Sequence, residues 1–247
     1  MTESATCLHD KPLPNESVEY RQARNALLQK EQQLRAQLEE VAALRRSLPP
    51  GGELKEDYEF GEINFSDGAV SSVRFSELFN DKQDLLVYSY MYGPDWQEPC
   101  PSCTSVIDGI NACSRHVRQQ AEMVVIGKAT PGQLHAIAIE RGWSDLRLLS
   151  SVGNDYTRDY LAQPDESAES LLPVLNVFRK EDNGIRHFWA SETLWIPLPG
   201  GHPRHVDMVW PFWNLLDMTP DGRGEASIPI QNYEHAYFTQ HVYPGEG

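Results

Sequence analysis

Apolar residues recur with the period of a helix in the first quarter of the chain. Residues 1–16 are polar and are predicted to form a flexible tail. The next stretch has apolar residues at steps of three, four and seven, which mark one helix face: Leu27, Leu34, Leu38, Val41 and Leu48. We predict a helical arm over residues 17–50, capped by Asn15 or Ser17 and ended by two prolines and two glycines. Its apolar face must pack on the chain's own domain or on a second subunit, so a homodimer through this helix is one expectation.

The central part of the chain alternates between strand and helix patterns. The apolar runs DLLVYSYMY and EMVVIGKA are typical of buried strands, and each precedes a helix with proline at its first position, Pro101 or Pro131. A short strand is predicted at LRLLSS, and a hairpin joins strands 174–178 and 185–190 through an Asn-Gly turn. This βαβ-then-hairpin order predicts an α/β, thioredoxin-like fold, with a central mixed sheet flanked by helices. We assign residues 53–195 to this domain and residues 196–247 to a C-terminal extension packed on it.

Charge and composition restrict the partners of the protein. The 247 residues carry a formal net charge of -15 without a basic stripe, which argues against a nucleic-acid partner. The sequence has no apolar run of about 18 residues and no apolar segment of the secretory type near residue 1, so we expect no membrane span and a cytoplasmic location. No glycine-rich phosphate loop follows a strand, so we expect no flavin or nicotinamide cofactor.

The stretch GPDWQEPCPSCTS contains the candidate catalytic residues, a pair of cysteines two residues apart. Cys100 directly follows a predicted central strand and begins a helix, where free N–H groups and the helix dipole stabilise a thiolate. Cys103 lies one turn further on. The spacing predicts Cys100 as the nucleophile and Cys103 as the resolving thiol, acting on a thiol or disulfide substrate, protein or small molecule. Asp95 and Glu98 would disfavour the thiolate if their carboxylates approached it.

Three neighbours are predicted to line this site or contact substrate. Trp96 supplies an apolar wall, and Pro101 lies between the two cysteines. Pro173 stands immediately before the first hairpin strand, where thioredoxin-like folds place a cis-proline facing the CxxC motif. That position favours a cis bond at Pro173.

Zinc binding is an alternative interpretation of the same cysteines. Cys100, Cys103, Cys113 and His116 have the spacing C-x2-C-x9-C-x2-H and are suitable ligands. A continuous helix would separate Cys103 from Cys113 by about 15 Å, which tetrahedral zinc cannot span. We therefore expect no metal unless the helix breaks near Gly109.

Three further hypotheses remain beside the dithiol exchange. A thiol peroxidase would have Thr and Pro where this chain has Gln97 and Gly93. A non-catalytic binding protein would use the Trp- and His-rich C-terminal segment as a ligand pocket. Within that segment His202, His205 and Asp207 have metal-ligand chemistry, although an ordinary surface loop is the preferred interpretation.

Long phrases of the chain resemble a known family. They include ARNALLQKEQQL, YMYGPDWQEPCPSC, ERGWSDLRLLSSVGNDYTRDY and PRHVDMVWPFWNLLDMTPDGRGE. The chain is similar to the thioredoxin-like "domain of unknown function 899" family, whose members are described as predicted dithiol-disulfide oxidoreductases. The resemblance implies a thioredoxin-like fold with an N-terminal helical arm and a C-terminal extension, and a redox role for Cys100 and Cys103. The tract TSVIDGINACSRH after the motif departs from the family pattern, and Cys113 is not a family feature.

Overall fold

The computed structural model describes residues 8–11, 13–164, 170–196 and 206–222. The chain divides into two compact units, Met1–Pro49 and Pro50–Gly247.

The first unit contains one long helix, α1 (Val18–Arg46). Ser17 is its cap, because its hydroxyl accepts a hydrogen bond from the backbone N–H of Tyr20 at 3.0 Å. Arg45 and Arg46 occupy the last turn, where positive charge suits the helix dipole. The predicted helix is confirmed. The five apolar side chains predicted for this face are exposed, and Leu48 lies two residues past the end of the helix; what covers them stays a prediction.

The second unit is built on one seven-stranded mixed sheet. In sheet order the strands are β2-β1-β5-β4-β3-β6-β7. β3 is parallel to β4 and β4 to β5, whereas β6 is antiparallel to β3 and to β7. Their bounds are β1 (Glu59–Ile63), β2 (Val70–Arg74), β3 (Asp84–Tyr90), β4 (Glu122–Gly127), β5 (Arg147–Ser150), β6 (Leu175–Glu181) and β7 (Gly184–Ala190).

Helices connect the parallel strands, as the sequence predicted. α2 (Pro101–Val117) joins β3 to β4, and α3 (Pro131–Arg141) joins β4 to β5. Thr130 caps α3, and Gly142 ends it with φ 69°, a left-handed conformation that suits glycine. The stretch after β5 forms only one turn, α4 (Tyr156–Asp159), and the last described helix is α5 (Pro211–Leu216). Among the described residues, none of these helices has the length and apolarity needed to cross a bilayer.

The two faces of the sheet bury different sets of side chains. Successive residues of β3 point to opposite faces, so Leu85 and Val87 join one apolar cluster while Tyr88 and Tyr90 join the other. The cluster that contains Tyr88 and Tyr90 also includes the apolar side of α2 and both cysteines of the CxxC motif. A mixed sheet, helices on its faces and a CxxC at the start of the helix after the central strand make this a thioredoxin-like α/β fold, as predicted.

Candidate functional site

Cys100 lies at the junction of β3 and α2. It is the cap residue of α2, and its N–H donates a 3.0 Å hydrogen bond to the carbonyl of Met91, just beyond the end of β3. Pro101 is the first residue of the helix, where its missing N–H costs no hydrogen bond. The Cys100 carbonyl accepts two hydrogen bonds from Thr104, one from its N–H and one from its hydroxyl, each 3.0 Å. The backbone around the cysteine is therefore held from both elements.

Cys103 lies one turn further along α2 and beside Cys100. Both are free thiols, with 7% of Cys100 and 2% of Cys103 exposed. Both side chains belong to the same buried cluster. The structure thus brings together the two cysteines that the spacing predicted.

The surroundings of Cys100 favour its thiolate. Its pKa lies below the ordinary value chiefly because of the Cys103 hydrogen bond; burial opposes this, and the N–H groups of Cys103 and Ser102 add to the lowering. Asp95 and Glu98 are exposed on the loop before the motif. Because solvent screens these carboxylates, they disfavour the Cys100 thiolate less than their position in the sequence suggested.

Cys103 has the opposite electrostatic character. Burial raises its pKa well above the ordinary value, and the hydrogen bond and charge of the neighbouring Cys100 raise it further. Two donors on the Cys103 sulfur act against this, the hydroxyl of Tyr88 and the backbone N–H of Met91. The two pKa directions therefore favour a thiolate at Cys100 over one at Cys103.

Aromatic side chains surround the cysteine pair. Trp96 is half-buried and packs against the cluster that holds both cysteines, as does Trp189 of β7. The loop that carries Trp96 is attached to α3, because Gln133 Nε2 donates a 3.0 Å hydrogen bond to the carbonyl of Pro94. Trp96 is thus placed beside the motif, while its part in substrate contact stays a prediction.

Pro173 differs from the expectation in its geometry. The structure contains no cis peptide bond among the described residues, so the predicted cis bond at Pro173 is wrong. The next residue, Val174, accepts a 2.8 Å hydrogen bond from Ser89 of β3, and its N–H bonds back to Leu172 at 3.0 Å. This turn places residue 173 two residues before β6 with a trans bond, and a contact with substrate stays a prediction.

The zinc alternative requires a broken helix, and α2 is continuous from residue 101 to residue 117. Cys113 lies ten residues after Cys103, about 15 Å along the axis. It is exposed, and its thiol donates to the carbonyl of Ile110 at 3.3 Å. The part of the chain that the structure describes holds no group of three or more metal-ligand side chains. Cys100, Cys103, Cys113 and His116 therefore do not form one site.

The segment 206–222 packs on α2 downstream of the motif. The indole N–H of Trp210 donates to the hydroxyl of Ser105 at 3.1 Å, and Trp210 and Trp213 belong to the same buried cluster as the cysteines. A Cβ on Gly109 would lie 3.4 Å from Pro211, at the lower end of ordinary contact distances, so the segment packs closely on this part of α2. Of the predicted C-terminal metal-ligand group, Asp207 begins a short 3-10 helix, whereas His202 and His205 lie outside the described residues.

Sequence reasoning missed the polar residues under the first turn of α2. Tyr88 shares the buried cluster of Cys103, and the Tyr90 hydroxyl lies 2.6 Å from the hydroxyl of Thr104. The signal was present in the alternation of β3, which puts both tyrosines on one face. Only the packing of α2 on that face identifies their partners.

Solved structures with similar folds include several peroxiredoxins. The reduced 2-Cys peroxiredoxin of Plasmodium vivax is 18% identical with a TM-score of 0.42, and the match covers 56% of this chain and 81% of that one. The peroxidoxin BcpB of Mycobacterium tuberculosis is 14% identical with a TM-score of 0.44, covering 66% and 94%. AhpC of Enterococcus faecalis is 14% identical with a TM-score of 0.44, covering 57% and 78%. Similarity at this level transfers no activity to this chain.

Comparison with curated proteins gave no match. A family model described as "Bacterial protein of unknown function (DUF899)" matches residues 10–241, nearly the whole chain. The expected family is thereby confirmed: this protein is a member of the DUF899 family.

Proposed function

We propose that this protein is a dithiol-disulfide oxidoreductase in which Cys100 and Cys103 alternate between two thiols and one disulfide. The observation that carries the proposal is the asymmetry of the pair. Cys100 is the cap residue of α2 and Cys103 lies one turn further on in the same buried cluster, and the pKa of Cys100 is lowered whereas that of Cys103 is raised. A nucleophile and a resolving thiol need this division of roles.

The exchange has two steps. In the first, the Cys100 thiolate attacks a substrate disulfide, forms a mixed disulfide and releases one substrate thiol. In the second, Cys103 attacks the Cys100 sulfur, which closes the Cys100–Cys103 disulfide and releases the other substrate thiol. The pair is then reduced by an external dithiol, and all electrons are carried by sulfur.

Formation of the mixed disulfide also changes the environment of Cys103. In the reduced pair, the charge and hydrogen bonding of Cys100 raise the pKa of Cys103. Once Cys100 is in a mixed disulfide it no longer carries a charge, so this cause disappears. The resolving thiol therefore ionises more easily when its attack is required.

A redox titration tests the proposal. The protein is equilibrated in thiol-disulfide buffers across about −270 to −120 mV, the range of known thioredoxin-like proteins. It is then acid-quenched and alkylated, and the free thiols are counted by mass spectrometry. We expect loss of two alkylation sites, at Cys100 and Cys103, in the native chain and in Cys113→Ser, and no such loss in Cys100→Ser.

Two outcomes would decide against it. If the native chain keeps both thiols at every potential, or if Cys100→Ser reduces a model disulfide as fast as the native chain, the exchange is not the function. Rapid consumption of hydrogen peroxide with a thiol donor, without turnover of disulfides, would favour a thiol peroxidase instead.

A further inference from the structure

The loop of residues 91–99, which we name the site loop, leads from β3 directly into Cys100. Its ends are joined by the 3.0 Å hydrogen bond from the Cys100 N–H to the carbonyl of Met91. Within the loop, the N–H of Trp96 donates to the carbonyl of Gly93 at 3.2 Å, and the Trp96 side chain packs against the cluster that contains Cys100. Because only 7% of Cys100 is exposed, the position of the site loop affects how a solute reaches its sulfur.

The first turn of α3 is firmly attached to the sheet. A Cβ on Gly61 of β1 would lie only 2.9 Å from Cγ of Pro131, so the absence of a side chain there allows α3 to approach the strand. Leu134 is 1% exposed and belongs to the same buried cluster as the two cysteines. This turn can therefore serve as a support for a neighbouring loop.

The side-chain amide of Gln133 bonds to α3 and to the site loop at once. Its Oε1 accepts hydrogen bonds from the N–H and the hydroxyl of Thr130, at 2.9 and 2.8 Å, as part of the capping box of α3. Its Nε2 donates to the carbonyl of Pro94 in the site loop at 3.0 Å. A backbone N–H can only donate and a carbonyl can only accept, so these two contacts fix the orientation of the amide.

The helix cap alone does not explain why residue 133 is glutamine. A capping box needs only an acceptor at this position, and glutamate serves as well as glutamine. The amide nitrogen is instead used by Pro94. A carboxylate in its place would direct an acceptor at the Pro94 carbonyl and could not bond to it.

We propose, on the basis of the proposed function, that Gln133 is a positioning residue that restrains the site loop and so limits access to Cys100. The rate of reaction at Cys100 then scales with the fraction of molecules in which the loop is open. A disulfide substrate that contacts the site loop can stabilise the open form by binding, whereas a small disulfide that does not contact it meets the closed form. Gln133 therefore favours substrates that contact the loop.

Three substitutions separate the two halves of the amide. Gln133→Glu keeps the acceptor for Thr130 and loses the donor to Pro94. Gln133→Met loses both and adds no charge. Thr130→Ala is the matched control, because it weakens the cap of α3 and leaves the donor of Gln133 in place.

Alkylation of Cys100 by iodoacetamide at a series of pH values, followed by peptide mass spectrometry, measures the restraint. The midpoint of the profile reports the pKa of the thiol, and the plateau at high pH reports access to it. We expect both Gln133 variants to raise the plateau about threefold to tenfold, as for loss of one hydrogen bond, and Thr130→Ala to leave it unchanged.

Two further measurements separate loop restraint from fold stability. Hydrogen exchange at the amides of Trp96 and Cys100 should accelerate in both Gln133 variants, and oxidation by glutathione disulfide, a small substrate, should accelerate with it. The midpoint of urea unfolding should fall in Thr130→Ala and stay near the native value in Gln133→Glu, which is the reverse of the order in the alkylation plateau.

The outcomes distinguish the two proposals. An unchanged plateau and unchanged exchange in both Gln133 variants would overturn the role of Gln133. An effect confined to Gln133→Glu would assign it to the added charge, and an equal effect in Thr130→Ala would assign it to the cap; either result overturns the role as well. A native chain that forms no Cys100–Cys103 disulfide with glutathione disulfide would overturn the proposed function, whereas a raised plateau would still support the restraint of the loop.

Discussion

The hydroxyl of Tyr90 lies 2.6 Å from that of Thr104, and Thr104 in turn donates to the carbonyl of Cys100. Because the Thr104 proton is used on the carbonyl, Tyr90 is the donor to Thr104. All three groups are buried. The chain of two bonds thus connects the strand beneath the site with the backbone of the nucleophile.

Removing the middle of this chain should destabilise the fold. Thr104→Val removes the hydroxyl that bonds both to Tyr90 and to the Cys100 carbonyl, and we expect a loss of about 1–3 kcal/mol in the free energy of unfolding. Urea denaturation followed by circular dichroism measures it. Thr104→Ser, which keeps the hydroxyl, is the control and should recover most of the loss; equal losses in Val and Ser variants would contradict the hydrogen-bond explanation.

The reactivity of Cys100 should depend on its partner thiol. The Cys103 hydrogen bond is the main cause of the lowered pKa of Cys100, so Cys103→Ala should raise that pKa and move alkylation of Cys100 to higher pH. Cys103→Ser retains a donor and should shift the profile less. Iodoacetamide labelling followed by peptide mass spectrometry at a series of pH values measures the profile. A profile that is the same in all three proteins would show that Cys103 does not tune Cys100.

Acid should weaken the fold through His187. Burial lowers its pKa from 6.5, against the smaller opposite effect of Glu192, and its ring bonds to Asn176 at 2.9 Å and stacks on Tyr160. Because the unfolded chain binds this proton more readily than the folded one, the contribution of His187 to the free energy of unfolding is present above about pH 6.5. It is lost as the pH falls below that value.

The measurement is the midpoint of urea unfolding between neutral and mildly acidic pH. His187→Gln should flatten the pH dependence, although it also lowers stability at neutral pH by removing the ring. His116→Gln, at an exposed position of α2, is the matched control. An unaltered slope in His187→Gln would assign the acid sensitivity to other groups.

We expect the contact of α2 with the C-terminal segment to accommodate alanine at position 109 but no larger side chain. At Gly109 a Cβ would lie 3.4 Å from Pro211, an ordinary contact distance, and alanine favours a helix by about 1 kcal/mol over glycine. We therefore expect Gly109→Ala to be neutral or stabilising. Gly109→Leu should displace α5, detected as faster hydrogen exchange in residues 206–217. Equal protection in both variants would mean that the segment does not depend on this approach.

Local patterns predicted most of the elements, because each has its own signal in the residues. Pro131 and Gly142 mark the two ends of α3, and the Asn-Gly turn marks the hairpin of β6 and β7. The order of seven strands could not be predicted, since the pairing of β1 with β5 joins residues far apart in the chain.

In the site, too, the sequence predicted what depends on neighbouring residues and could not predict what depends on packing between distant elements. The CxxC spacing predicted that Cys100 and Cys103 would be neighbours, because one helical turn separates them. The polar residues beneath the motif come from another element, so only the packing of α2 on β3 identifies Tyr88 and Tyr90. At Pro173 the expectation came from the fold type, and the local turn with Leu172 and Val174 instead has a trans bond.

Met91 lies next to both cysteines: its carbonyl accepts a hydrogen bond from the Cys100 N–H, and its own N–H is one of the causes that act against the raised pKa of Cys103. A disulfide sulfur is a poorer acceptor than a thiolate. The amide of Met91 should therefore register each change of oxidation state as a change of chemical shift. In an isotope-labelled sample this one resonance would report the oxidation state of the cysteine pair, without any probe attached to the cysteines.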